Sequence, residues 1–209
     1  MSVPRRYFTM TKLADGRVLV AGGKPGASNT THNSAEVYNP TTNSWMATGS
    51  MVSGRAFHTA VLLADGRVLV SGGSIGNTGL ASAEIYNPQT NAWTATGSMA
   101  HARDWHTLTL LPSGQVLVVG YYNSGAQPNY GEVYNPTTGQ WSLTANAQAT
   151  PRILPAAILL ANGRVLICGG DDGVQSTRST EIYNPATNTF AAAASMNTCL
   201  LYTSDAADE

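Results

Sequence analysis

The sequence predicts an all-β fold in which one four-stranded sheet is repeated along the chain. Three observations carry this. The triplet Tyr-Asn-Pro recurs with its tyrosine at Tyr38, Tyr86, Tyr134 and Tyr183, in steps of 48, 48 and 49 residues. A second aromatic follows in the same steps, at Trp45, Trp93, Trp141 and Phe190. Between these marks lie short apolar runs without helical spacing, split by the turn pairs Asp15-Gly16, Asp65-Gly66, Ser113-Gly114 and Asn162-Gly163. A repeat of about 50 residues built from such runs denotes β units that stack on one another.

Each strand is justified in the second copy. His58–Leu63 is rich in apolar residues and threonine and reads as the first strand. Ala64-Asp65-Gly66 connects it to the next strand, with Asp-Gly supplying the positive φ angles that primed hairpin turns need. Arg67–Ser71 (RVLVS) is the second strand, β-branched and apolar enough for burial on both faces. Gly72-Gly73 ends it, where the backbone must turn or a side chain is unwelcome. Ser74–Ser82 reads as a loop and Ala83–Tyr86 as the third strand. The turn Asn87–Asn91 follows, with Pro88 removing a ladder donor, and Ala92–Thr96, anchored by Trp93, is the fourth strand. A lone twisted sheet cannot bury both faces, so successive sheets must pack together.

Composition narrows the function classes. The chain has 209 residues, of which 43% are hydrophobic and only 11% charged, with a net charge of −1. No electrostatic footprint for nucleic acid or an acidic membrane surface results. No apolar run is long enough for a transmembrane helix, and the first ten residues lack the apolar segment of a signal peptide. Loops of Ala, Thr, Gly, Asn and Ser resemble those of secreted bacterial proteins and favour an extracellular or periplasmic setting. Two cysteines make no disulfide scaffold.

Both ends depart from a self-contained array. Met1 to Arg5 repeats the spacing of Met51 to Arg55 and Met99 to Arg103, and Ser195-Met196 resembles the opening of a further unit. The spacing predicts that Met1 is an internal methionine and that sequence is missing on both sides. The last eleven residues, Cys199–Glu209, match nothing in the repeat and resemble the translation of a transposon-based sequencing-library adapter. The expected division is a repeat region over 1–197, with units at about 1–50, 51–98, 99–147 and 148–195, and a non-native or disordered tail over 198–209.

The combination Arg-x-x-His-Thr, Asp-Gly-Arg-Val-Leu-Val-x-Gly-Gly, Glu-(Val/Ile)-Tyr-Asn-Pro and Trp resembles the kelch repeat over residues 1 to 197. The resemblance implies a β-propeller whose blades are these four-stranded sheets, usually six or seven to a ring. Four blades are then part of a ring, and the remaining blades of the parent propeller are expected neighbours. It also implies that the shared positions build scaffold and that function sits where copies differ.

Candidate site residues follow from those differences. Arg55 with His58 and Arg103 with His106 have the spacing of a catalytic or binding pair, but Phe8 and Pro155 replace the histidine in copies one and four. Bonding to a neighbouring loop is the competing reading. The third copy departs most, with Tyr121 and Tyr122 where copy two has Gly73-Ser74, and Tyr130 in place of Ser82. Three tyrosines on one loop suit a sugar or a peptide; if Tyr121 needs a left-handed backbone, it is strained by about 1–2 kcal/mol. Trp105 reads as packing, Cys168 as a buried filler of the second strand, and Asp171-Asp172-Gly173 as a polar turn. His101, Asp104 and His106 match no established metal spacing. No phosphate-cradling Gly-x-x-x-x-Gly-Lys, His-Glu-x-x-His or Gly-x-Ser-x-Gly motif is present.

The reading is a non-catalytic scaffold that binds a protein or glycan through inter-strand loops, with no cofactor. The alternative is a propeller portion of a galactose-oxidase-like copper radical enzyme, which the Asp-Gly-Arg-Val-Leu-Val-x-Gly-Gly strand also resembles. That family needs a Tyr–Cys crosslink with His and Tyr ligands on copper, a set that cannot be assembled from this sequence alone, so on this alternative the active site lies partly outside this chain.

Overall fold

A computed structural model of the chain describes residues 1–26, 29–121, 129–172 and 174–198. Among these there is no helix. The chain forms four antiparallel four-stranded sheets in succession. The first contains β1 (Thr9–Lys12), β2 (Val18–Ala21), β3 (Ala35–Asn39) and β4 (Ser44–Ala47). The second contains β5 (Thr59–Leu62), β6 (Val68–Ser71), β9 (Ala83–Asn87) and β10 (Ala92–Thr96), with a small two-stranded hairpin, β7 (Ser74–Ile75) and β8 (Thr78–Gly79), between its middle strands. The third is β11 (Thr107–Leu110), β12 (Val116–Val119), β13 (Tyr130–Asn135) and β14 (Gln140–Ala147). The fourth is β15 (Ala156–Leu159), β16 (Val165–Cys168), β17 (Thr180–Asn184) and β18 (Thr189–Ala193).

Each sheet is a blade. The first strands β1, β5, β11 and β15 lie beside one another in succession and line an axial groove. Register explains the packing. In the first blade Val18, Tyr38 and Trp45 are cross-strand neighbours, as are Leu19, Val37 and Met46 on the opposite face. The Leu19 face meets the following blade, where Val68, Val70, Tyr86 and Trp93 cover it to form one core cluster. Equivalent clusters join the second blade to the third and the third to the fourth. The middle strands β6 and β12 are buried along their whole length, as Val- and Leu-rich strands packed on both faces must be.

Local structure follows the repeat, with two departures from the expected turns and loops. At all four first connections the hairpin loop has three residues, closed by bonds such as Leu63 N to Arg67 O at 2.8 Å and Gly66 N to Leu63 O at 3.0 Å. Only the glycine of each loop adopts a left-handed φ, Gly66 at +84°. This is a type I turn with a glycine bulge, not a primed two-residue turn. Asp65 Oδ1 accepts from Arg67 N at 3.0 Å, which explains an aspartate before that glycine. The stretch predicted as a loop, Ser74–Ser82, contains the β7–β8 hairpin. In the Tyr-Asn-Pro triplet the Asn87 side chain accepts from Gln89 N at 2.9 Å, and the Tyr86 hydroxyl donates to Asn91 Oδ1 at 2.7 Å across the turn. Trp93 packs on Tyr86 with ring centroids 5.1 Å apart and reaches back to Thr48 of the preceding blade at 3.4 Å.

The blade interfaces explain Trp45. Trp93 is 9% exposed and Phe190 6%, because each is covered by the blade before it. Trp45 has the same position in the first blade and is 38% exposed. Cys168, expected as a buried filler, is half-buried, on the face of the fourth blade that turns away from the third. Tyr122, Gly173 and the tail from Cys199 lie outside the described residues.

Candidate functional site

The site grows out of the segment that opens each blade. Arg5, Arg55, Arg103 and Arg152 occupy equivalent positions, and their side chains are fully buried. Arg55 shows the arrangement. Its Nη1 donates to Gly72 O at 2.7 Å and Ser82 O at 3.0 Å, and its Nη2 to Glu84 Oε1 at 2.8 Å. Glu84 in turn accepts from the backbone N–H groups of Val52 and Ser53 at 2.7 and 3.2 Å. Arg103 with Glu132 and Arg152 with Glu181 repeat this, a planar fork whose Nη groups donate to carbonyls and a carboxylate inside one blade. The arginine carbonyl faces the other way: Gly23 N donates to Arg55 O, and Gly73 N to Arg103 O, both at 2.8 Å. Arg55, Arg103 and Arg152 therefore each fix their own blade by the side chain and the previous blade by the backbone. Arg55 and Arg103 hold the loops in place and present no surface to a ligand.

The glutamate partner is the Glu of Glu-(Val/Ile)-Tyr-Asn-Pro. Its recurrence in all four copies together with the arginine is the signal that points to an ion pair.

His58 and His106 sit three residues on, 5% and 3% exposed, at the bottom of the groove. His58 Nε2 lies 3.1 Å from Thr9 Oγ1, and His106 Nε2 lies 2.7 Å from Thr59 Oγ1 and 3.1 Å from Ser71 Oγ. Each ring covers the first glycine of the preceding blade: a Cβ on Gly22 would stand 2.6 Å from His58 Cε1, and one on Gly72 would stand 2.7 Å from His106 Cε1. Pro155 takes the same place over Gly120. Burial, reinforced by the adjacent arginine, pushes both imidazoles down to about 3. They are neutral across the physiological range and poor proton acceptors.

Between the arginine and the histidine lies the residue that faces the groove: Tyr7, Phe57, Trp105 and Leu154. All four adopt left-handed φ, from +53° to +59°. Their backbones form a spine, with Phe57 N donating to Tyr7 O, Trp105 N to Phe57 O and Leu154 N to Trp105 O, each at 3.1 Å. A repeated left-handed conformation in bulky residues is uncommon and persists because the surrounding bonds impose it. The side chains stack along the arc, Tyr7 on Phe57 at 4.2 Å and Phe57 on Trp105 at 4.5 Å between centroids. Trp105, read as packing, is one of these groove aromatics. Lys24 Nζ lies 5.0 Å from the Phe57 ring centroid, and the Arg6 guanidinium lies 5.1 Å from that of Tyr7. The groove has a volume of about 760 Å³, and no carboxylate is among the described residues that line it.

Of the three tyrosines singled out in the third blade, the two described ones, Tyr121 and Tyr130, do not share one exposed surface. Tyr121 is 2% exposed, whereas Tyr130 is 42% exposed at the start of β13. Tyr121 N donates to Arg152 O at 3.0 Å, keeping the bond that Gly73 makes in the second blade, but without the left-handed φ of that glycine. Its backbone is not left-handed, so the expected strain does not arise. His101 approaches Glu132 at 3.5 Å while His106 is engaged with Thr59, so the two histidines serve different partners. Among the described residues no group of three or more His, Cys, Asp or Glu is placed to hold a metal. The half-buried Cys168 has no such set around it, and these residues do not fit a copper centre.

A search of curated proteins finds no match. Among solved structures the chain is similar to the one titled "Structure of YjhT", with a TM-score of 0.72 and 16% identity, over 95% of this chain and 68% of that one. At that identity the likeness concerns the fold. The family model described as the KLHDC2/KLHL20/DRC7 Kelch-repeats domain matches residues 7–199. With its four blades, its diglycine turns and its buried Arg–Glu pairs in register, the chain belongs to the kelch-repeat family of β-propellers.

Proposed function

We propose that the chain is a non-catalytic binding scaffold that holds a protein or glycan partner in the axial groove, against Tyr7, Phe57 and Trp105. The observation that carries this is the arc of stacked rings on a rigid backbone spine, flanked by Lys24 and Arg6. Aromatic faces offer large contact area at small entropic cost, and centrally placed aromatics dominate binding energy at interfaces. The buried, neutral histidines support this reading, since both are poor proton acceptors.

The test is selection of binders from a peptide-display library and a glycan array, followed by Phe57→Ala and Trp105→Ala. Ligands of the groove should lose roughly tenfold or more in affinity with either variant. Selected ligands that bind both variants as tightly as the parent would place the site elsewhere.

A further inference from the structure

We propose, resting on the groove reading above, that the ligand there is a peptide segment of mixed charge, with an acidic side chain seated at the first blade, a basic one at the fourth, and apolar residues over the aromatic arc between them. The rim of the groove is built to one backbone plan. In three blades the residue before the groove-facing one pairs with the residue after the diglycine in a short antiparallel bridge: Arg6 with Lys24, Ala56 with Ser74 and Ile153 with Asp171. The bonds are of one kind, Arg6 N to Lys24 O and Ala56 N to Ser74 O at 3.1 Å and Ile153 N to Asp171 O at 2.7 Å. The backbone is constant at these positions, and only the side chains differ.

Those side chains sort by sign. The first blade places two cations at its bridge, the second two uncharged residues, and the fourth Asp171 with Asp172 beside it. In the third blade Asp104 holds the position that Arg6 holds in the first. Lys24 Nζ lies 5.6 Å from the Tyr7 centroid and 5.0 Å from that of Phe57, so it spans the junction of the first and second blades. Among the described residues neither Arg6 nor Lys24 has a carboxylate within ion-pair distance, whereas Arg17 and Arg67, at the opposite end of the blades, are closed by their own aspartates at 2.8 and 2.7 Å. Asp172 accepts from Gln175 N and Val174 N, both at 2.9 Å, which holds its carboxyl below the usual carboxylate range and leaves it ionised at neutral pH. Burial, then Asp172 and Asp171, push the Tyr121 hydroxyl up, so this negative charge stands by the junction of the third and fourth blades. Both charged stretches thus lie at junctions inside the chain.

Opposite charges at the two ends of an aromatic arc select a ligand by orientation as well as by contact. A wholly acidic segment meets repulsion from Asp171 and Asp172, and a wholly basic one from Arg6 and Lys24. Ring centroids along the arc are 4.2 and 4.5 Å apart, and an extended peptide advances about 3.3 Å per residue, so the acidic and basic side chains stand roughly four residues apart. Peptide side chains supply both signs at that spacing, whereas a sugar bearing a uronate supplies one.

Panning a display library of random peptides against the full chain, with selected sequences synthesised and titrated by calorimetry, tests this. Ligands that need Phe57 should carry an acidic and a basic residue roughly four apart and weaken as salt rises from about 0.05 to 0.5 M. Arg6→Gln with Lys24→Gln, and Asp171→Asn with Asp172→Asn, should each weaken them roughly three- to tenfold. A peptide whose acidic residue is replaced by glutamine should bind the parent chain less well and be indifferent to Arg6→Gln with Lys24→Gln. Ligands that lose affinity with Phe57→Ala, yet carry one sign of charge or none or ignore both pairs of substitutions, would overturn the mixed-charge ligand and leave the groove as the site. A library in which no ligand depends on Phe57 would overturn both. Circular dichroism checks that the variants keep their strand signal.

Discussion

At the scale of single residues, the buried histidines make the clearest statement. Burial first, and then the neighbouring Arg55 and Arg103, hold His58 and His106 far below the ordinary imidazole value of 6.5, at about 3. The unfolded chain takes up a proton at each ring near the ordinary value, and the folded one does not. Stability is therefore complete above about pH 6.5 and declines as pH falls toward 3, by about 1.4 kcal/mol per pH unit for each ring. His58→Phe, which copies Phe8 of the first blade, should remove one of the two contributions. Urea unfolding of parent and variant between about pH 4 and 7 reads the difference in slope; equal slopes would mean that the ring is protonated in the folded state. The arginines carry a larger penalty. Arg103→Met leaves Glu132 buried without its cation, and the loss should be about 3–5 kcal/mol in the same measurement.

At the scale of strands and turns, identical glycines have different roles. Gly66 and Gly73 share a φ of +84°, but a Cβ on Gly66 meets nothing within 4 Å, whereas one on Gly73 stands 2.5 Å from Ala56 O and 2.8 Å from His58 Cβ. Gly66→Ala should cost about 1–2 kcal/mol, the left-handed penalty alone. Gly73→Ala should cost more than about 3 kcal/mol or prevent folding, because the segment Ala56–His58 that opens the same blade cannot pack against it. Urea midpoints of the two variants check the ranking; equal costs would show that the contact relaxes.

Much at this level was legible in the sequence. The strands around Tyr86 and Trp93 were readable because turn residues bracket each one, and Ala92–Thr96 is the strand observed. The three-residue turn was not, since Asp-Gly serves both that geometry and the primed one. Nor was the β7–β8 hairpin, whose few residues carry no alternation. The candidate site was harder. Arg55, His58, Arg103 and His106 drew attention by their chemistry, yet their neighbours across a blade junction decide that they are buried. Trp105 looked like packing because Tyr7, Phe57 and Leu154 share only bulk, and the left-handed backbone that turns them toward the groove leaves no mark on residue type.

At the scale of the whole molecule, each blade touches only its neighbours, so stability is distributed along the array and greatest at its middle. β6 and β12 are covered on both faces, whereas β15 is largely exposed. Hydrogen exchange of dilute protein should show the slowest amides in Val68–Ser71 and Val116–Val119 and faster exchange in β1 and β15. Uniform protection would instead mean that the array opens as one unit.

The spine through Tyr7, Phe57, Trp105 and Leu154 has a consequence for how such a protein diversifies. Its bonds run entirely between peptide groups, so the scaffold is indifferent to which side chain stands at each station. Tyrosine, phenylalanine, tryptophan and leucine already occupy equivalent stations without altering the bond length of 3.1 Å. Mutation can thus rewrite the vocabulary of the groove one word at a time while the grammar beneath it stays fixed.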